Sequence, residues 1–289
     1  MLKIRSCMVV VMMSSGFAAT ALAQLKLQAV KTAVPPKLDG LAEDAAWKTA
    51  TELKLEAEGR GGDAKGKKVP ATLKAAYDKE NVYFLLRWQD PTKDETQKSF
   101  VWNEVKDAYE EGPDREDNAA LSFPIKGTFT ANMLSGQDEL WDAWHWKAQR
   151  TGPAGYAMDR THVFSATEPP GGRAKKYPAE NGKDVWIARP EDAGESVTKA
   201  SQAPSAKQTT APKHYEAVKP SGSAADIRTG QGYADGWWTI EFARKLDTGN
   251  ADDVVLDIAK TIPMGVAVFD KSEHENHYTA GPITLSFAP

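Results

Sequence analysis

The run at residues 141–159, WDAWHWKAQRTGPAGYAMD, gathers the side chains of this chain best suited to hold a ligand. Trp141, Trp144 and Trp146 fall within six residues, His145 stands between two of them, and Lys147 and Arg150 follow before a break at Gly152 and Pro153. Together they offer flat apolar surface, one titratable ring nitrogen and two cations, which suits a large, flat, anionic ligand. The same residues also suit a wedge of core aromatics with a solvated basic edge. Both readings stand on the residues alone.

Other chemistry is largely excluded. The chain has no Gly-x-Ser-x-Gly elbow, no phosphate loop and no dinucleotide glycine fingerprint. Asp114, Glu116 and Asp117 beside Asn118 lack the spacing of a known calcium loop and read as a charged turn. Residues 1–23 read as a secretory signal, with Lys3 and Arg5 as the basic start, an apolar stretch at 8–13 and Ala21-Leu22-Ala23 as the cleavage site. The only cysteine, Cys7, falls within it. A mature chain beginning at Gln24 therefore has no thiolate zinc site, iron–sulfur cluster, cysteine nucleophile or covalent haem attachment. The leader's apolar run is too short to span a bilayer and no later run approaches that length, so the expectation is a soluble periplasmic protein without a membrane span. The formal charge of −4 includes Lys3 and Arg5; without those two cations it is −6. That balance argues against nucleic acid as a partner.

The elements that must position the block read as strands. Leu73, Ala75 and Tyr77 alternate with polar or small neighbours, residues 78–81 make a turn, and residues 82–88 return. Residues 119–125 and 128–133 read as a second hairpin bending at Lys126-Gly127, and residues 140–149 as a short helix stopped at Gly152-Pro153. In the stretch 237–243, Trp237, Thr239 and Glu241 share one face and Trp238, Ile240 and Phe242 the other. Residues 262–269 and 282–287 supply final strands. Residues 168–223, rich in Pro, Gly, Ser, Thr, Ala and Lys, read as a long, partly disordered surface insertion whose main apolar exception is Val185-Trp186-Ile187. About 265 mature residues suffice for one sizeable core, and many short strands with turn signals make an antiparallel β-sandwich the expected class.

The block resembles the haem-binding family typified by the gamma subunit of ethylbenzene dehydrogenase. The match runs through Trp144, His145, Trp146, Lys147, Ala148 and Arg150, then Pro153, Gly155, Tyr156 and Asp159. Leu38-Asp39-Gly40 with Asp44 and Trp47 is similar to the entry into the first strand of such domains, and residues 236–246 to a late Gly-x-Trp…Phe-x-Arg-x-Leu strand. The resemblance covers most of the chain except residues 168–223. It implies an all-β sandwich with a short helix and a long loop insertion, similar to family 9 carbohydrate-binding modules. It also implies haem b as cofactor, and a redox partner that is a molybdenum enzyme or a cytochrome.

The resemblance further implies two axial ligands to iron, a methionine and a lysine in the relatives. Met133 lies just before the tryptophan block and fills the first role; a core methionine filling a gap is its alternative. Met264 reads as core and Met158 as a loop residue. Relatives place the lysine shortly before the last strand, where counting back here reaches His277, with Lys271 as second choice and His274 third. A neutral imidazole binds metal near pH 7 with little proton cost, whereas an amine near pKa 10.4 must first lose a proton. The alternative is a hydrophilic turn whose histidines do nothing. Trp144, His145, Trp146 and Arg150 are the expected cofactor-binding residues, with Arg150 as a propionate partner and Lys147 on a solvated edge. Some relatives attach haem through cysteines shortly before the block; here residues 131–136 have none, so the hold would be non-covalent. Two further readings stay open: a carbohydrate-binding module whose tryptophans stack on sugar rings, and a family member that has lost its cofactor.

Overall fold

The computed structural model describes residues 25–171, 173–207, 209–212, 214–271 and 277–289. The expected leader, Cys7 and His274 lie outside the described residues. The chain enters as β1 (Leu25–Lys31) and makes a short helix, α1 (Ala45–Thr49). It continues through β2 (Leu53–Gly59), β3 (Lys68–Tyr77), β4 (Asn81–Gln89), β5 (Phe100–Asn103), β6 (Ala108–Glu111), β7 (Asn118–Lys126), β8 (Glu139–Lys147) and β9 (Met158–Ser165). Five short strands follow: β10 (Lys175–Pro178), β11 (Asp184–Ala188), β12 (Thr198–Ala200), β13 (Thr210–Ala211) and β14 (Tyr215–Ala217). The last four are β15 (Arg228–Ala234), β16 (Trp237–Lys245), β17 (Ile262–Phe269) and β18 (His277–Phe287). Among the described residues no helix is long and apolar enough to cross a membrane.

The main ladder runs β10-β11-β9-β8-β7-β17-β18-β1-β3-β4-β16-β15, with β2 bridging β18 and β3. It folds back on itself, because its two halves share one core. Phe84 of β4 lies 5.7 Å from Trp144 of β8 and 5.8 Å from Phe123 of β7, and Trp238 of β16 lies 5.0 Å from Trp146 of β8. The class is therefore an all-β sandwich, antiparallel throughout this ladder except for β1, which runs parallel to both β18 and β3.

Several expectations hold. Residues 73–88 form the β3–β4 hairpin, with Asp78 accepting from the amides of Glu80 and Asn81 at 2.8 Å each. On β16, Trp238, Ile240 and Phe242 face the core. Others change. Residues 140–149 are not a helix: β8 is a strand, because alternation puts Trp144 and Trp146 in the core and His145 on the other face. Residues 128–133 form a loop, and β7 pairs directly with β8. Part of the 168–223 segment joins the main sheet, since Val185 and Ile187 of β11 are buried and β11 pairs with β9.

One clamp fixes the entry of the chain. The buried carboxylate of Glu241 accepts from the amides of Asp39 (2.9 Å) and Gly40 (2.7 Å) and from Trp47 Nε1 (2.7 Å). Gly40 is left-handed (φ 74°), and a Cβ there would stand 2.1 Å from the Gln231 carbonyl carbon, so the backbone of the Asp39-Gly40 turn lies flat on β15. Replacing Glu241 by Ala leaves two buried donors, the Gly40 amide and Trp47 Nε1, and the half-buried Asp39 amide without an acceptor, each buried one costing about 1–3 kcal/mol. Urea unfolding should show Glu241→Ala destabilised by about 3 kcal/mol or more, and Glu241→Gln by distinctly less.

Candidate functional site

Alternation along β8 and β9 divides the tryptophan block between two surfaces. Trp144 and Trp146 are fully buried on the inner face. Trp146 Nε1 donates to Gln231 Oε1 at 2.8 Å, and Trp144 stacks beneath the Arg244 guanidinium at 4.8 Å. The expectation that these two rings face a ligand is replaced by a packing role. The outer face carries Trp141, Ala143, His145 and Lys147 from β8, and Met158, Arg160, His162 and Phe164 from β9.

Register across the next three strands extends this outer face. Ala143 pairs with Ser122 of β7, which pairs with Gly265 of β17. His145 pairs with Ala120, Ala120 with Ala267, and Ala267 with Thr279 of β18. The result is a floor of small side chains spanning three inter-strand gaps, about 14 Å at the usual strand spacing. One end is roofed by the loop after β7. Phe129 packs on Trp141 (4.9 Å), and a Cβ on Gly265 would meet Phe129 at 3.3 Å and Ala131 at 3.4 Å. Met133 packs with the same cluster as Trp141, Phe164, Val185 and Ile187. At the other end three rings lie side by side, His145 stacked on Phe269 (5.4 Å) and Phe269 on His277 (5.5 Å). Between these ends Ala120, Ala267 and Thr279 are half-buried, a trough of small side chains between the roof and the rings. Met133, in the cluster at the roofed end, and His277, in the row of rings, thus lie toward one face of the sheet.

The electrostatics of this face are unusual. Nε2 of His145 and Nε2 of His162 are shielded from solvent with no hydrogen-bond partner among the described residues, as is Nε of Arg160. Burial, with Lys147 and Arg160 nearby, holds both imidazoles well below their usual pKa, so both are neutral near pH 7. Lys147 is itself buried; its amine reaches the Met158 sulfur at 3.5 Å, and burial pushes its pKa well down. It is not on a solvated edge. Arg150 pairs with the buried carboxylate of Glu116 and lies over Tyr215. Glu116 also accepts from the amides of Gln149 and Arg150, so it anchors a loop rather than forming a charged turn. Lys271 pairs with Asp94 at 3.3 Å. Sequence reasoning missed His162 and Arg160; alternation continued from Met158 along β9 is the signal that would have found them. A separate cleft of about 480 Å³, lined by residues such as Pro124, Leu246, Val254 and Ile262, holds no histidine or methionine.

An all-β sandwich with a small-residue trough on one outer face is the class these observations define. The family described as ethylbenzene dehydrogenase matches residues 44–280, and the chain belongs to it. No curated protein matches the chain. Among solved structures it is similar to a proposed carbohydrate-binding protein from Bacteroides uniformis, with 12% identity, a TM-score of 0.44 and coverage of 92% of this chain and 100% of that one. It is also similar to a family 9 carbohydrate-binding module from Caldicellulosiruptor kristjanssonii in complex with cellotriose, with 10% identity, a TM-score of 0.39 and coverage of 91% and 95%.

The two faces of β8 make opposite demands on stability. Trp144→Ala should cost about 3–5 kcal/mol in urea unfolding, since it empties a packed core position. His145→Ala, which removes a ring whose Nε2 has no partner, should stay within about 1 kcal/mol of the parent. Equal losses at the two positions would show that His145 is also a packing residue.

Proposed function

We propose that this chain is an exported, periplasmic haem-b-binding protein that carries electrons, and that the outer-face trough is its haem site. The observation that carries the reading is the floor of Ala143, Ser122, Ala120, Ala267 and Thr279, with Met133 and His277 toward the same face, where two neutral imidazoles keep an Nε2 without a partner among the described residues. Small side chains leave room for a flat ring, and Trp141, Phe129 and Phe269 supply apolar walls. Membership of the ethylbenzene dehydrogenase family and the resemblance of the tryptophan block to gamma-type subunits support the same reading.

In this reading Met133 and His277 hold the iron. Lys271 is the weaker choice, because its amine would have to leave Asp94 and give up a proton first. Arg160 is held by Glu191 at 2.6 Å as Arg150 is by Glu116, but it keeps an Nε without a partner among the described residues, so both are candidates for a propionate. His145 and His162 line the face beside them. Haem bound there would supply one-electron chemistry between ferrous and ferric iron. Two protein donors leave no open position for a substrate, which favours a carrier over a catalyst, and the thioether favours a raised potential. Without a cysteine in residues 24–289 the hold is non-covalent. The partner would be a molybdenum enzyme or a cytochrome that meets the acidic chain with a basic face. Of the nine tryptophans, Trp47, Trp88, Trp141, Trp144, Trp146 and Trp238 are buried and none is fully exposed, which leaves little for sugar stacking.

Protein made in the periplasm with ample haem should show a Soret band, and acid–organic solvent should extract the haem completely. Met133→Ala and His277→Ala should each turn a six-coordinate low-spin spectrum high-spin or release the haem, and Lys271→Ala should leave it nearly unchanged. A colourless chain that also refuses added haemin would sink the reading. A high-spin change from Lys271→Ala or His145→Ala, but not from His277→Ala, would reassign the ligand.

A further inference from the structure

The inner faces of β8 and β9, behind the trough, carry a second concentration of polar groups. Asp142 of β8, Asp159 of β9 and Asp253 of the loop after β16 each offer a carboxylate oxygen, and these oxygens lie within 4.8 Å of one another. Asp192 lies within hydrogen-bond reach of Asp159 and accepts from Thr161 Oγ1 at 3.2 Å. All four are buried; Asp142 is 0% and Asp159 1% exposed. Among the described residues the one cation paired with this group is Arg244, which binds Asp142 and reaches Asp253 at 3.4 Å. If all four carboxylates are ionised, Arg244 leaves three negative charges uncompensated in the interior.

The hydrogen bonds do not make up the difference. Asp142 also accepts from the Val254 amide at 3.1 Å, and Asp253 from Thr248 Oγ1 at 2.5 Å. Yet both oxygens of Asp159, Oδ1 of Asp142 and Oδ2 of Asp192 have no donor. Asp90, 1% exposed, also has one oxygen without a donor, Oδ2, but Asp117 beside it is served differently. Asp117, which stands near Asp90 and Asp270, accepts from Trp238 Nε1, the Asp94 amide and the Lys271 amide on both of its oxygens. Burial, with other carboxylates nearby (Asp226 and Asp252 in the case of Asp253), raises the carboxyl pKa values of Asp142, Asp159, Asp192 and Asp253. Leaving such groups charged and unpartnered in the interior costs several kcal/mol each.

We propose that Asp142, Asp159 and Asp253, with Asp192 beside them, form a structural site for a divalent cation, and that the cation is calcium. The donors are all oxygen, with no nitrogen or sulfur, which selects a hard ion over zinc. Calcium accepts the irregular arrangement of carboxylates that several loops and strands provide, whereas magnesium demands a near-ideal octahedron and keeps its waters. One such ion would reduce the excess to a single negative charge. It would join β8, β9, the start of the 190s segment and the loop after β16 at one point.

Full-length protein purified without chelator should carry about one calcium per chain by plasma mass spectrometry. EGTA should lower the Tm by several degrees, about 5–10 °C for a site well above its Kd. Added Ca²⁺ should restore it, and Mg²⁺ at the same concentration should restore it less. Asp159→Asn should remove the response of the Tm to Ca²⁺. Should that variant fail to fold, radioactive-calcium equilibrium dialysis on the parent decides by itself. A parent chain that binds no calcium, and whose Tm ignores both Ca²⁺ and EGTA, would overturn the proposal. The carboxyls would then be neutralised by protons, with Asp159 and Asp192 sharing one. None of these readouts depends on haem.

Discussion

Strict two-residue alternation along β8 is the constraint from which the rest of the molecule follows. Seven residues, 141–147, serve two surfaces that have nothing in common. Asp142, Trp144 and Trp146 point inward, into a core built with Phe84, Trp88 and Trp238. Trp141, Ala143, His145 and Lys147 point outward, to the trough and its cover. A slip of one residue in register would bury His145 and Lys147 in the aromatic core and expose two tryptophans. The core therefore sets the site: packing Trp144 and Trp146 is what presents His145 at a fixed height on the outer face.

Buried polar groups hold the irregular segments to this frame. Glu241 fastens the entry turn, Glu116 fastens the turn after β8 through the Gln149 and Arg150 amides, and Asp117 fastens the segments around Asp94 and Lys271. Each is a carboxylate served by backbone or indole donors, so its burial cost is offset locally. The aspartates around Arg244 break that pattern, with oxygens that no donor reaches. The contrast between Asp117 and Asp159, whose two oxygens both have no donor among the described residues, is internal to one chain, and the proposed cation site rests on it.

How much of this was legible in the sequence depended on whether the alternation was visible. Along β16 the large residues alternate cleanly, so Trp238, Ile240 and Phe242 could be assigned to the core. Along β8 both faces carry aromatics, and the Gly152-Pro153 break imitates a helix stop, so the period-two pattern was masked. In the 168–223 segment the buried residues Val185, Ile187, Val197 and Ala211 stand among many small and polar neighbours, which hides the short strands they anchor. The candidate ligands Met133 and His277 came from position in a family pattern. His162 and Arg160 required the register of β9, which no local composition reveals. The acidic site was beyond reach for the same reason: its members at 142, 159, 192 and 253 are brought together only by tertiary structure.

In the proposed haem site, a histidine at 277 rather than the lysine of the resembling gamma-type subunits suits the surroundings that the fold gives that position. A lysine amine needs to lose a proton to bind metal, and a site that lowers its pKa does so by excluding water or gathering cations. The end of the trough where His277 stands instead has Phe269 packed between two imidazoles, with Asp94 and Asp270 close enough to Lys271 to favour its charged form. An ammonium is stabilised there as an ammonium. A chain that places carboxylates beside its last lysine before β18 has thus made that lysine a poor ligand. In the proposed site this leaves a histidine as the base that would need least help to bind iron.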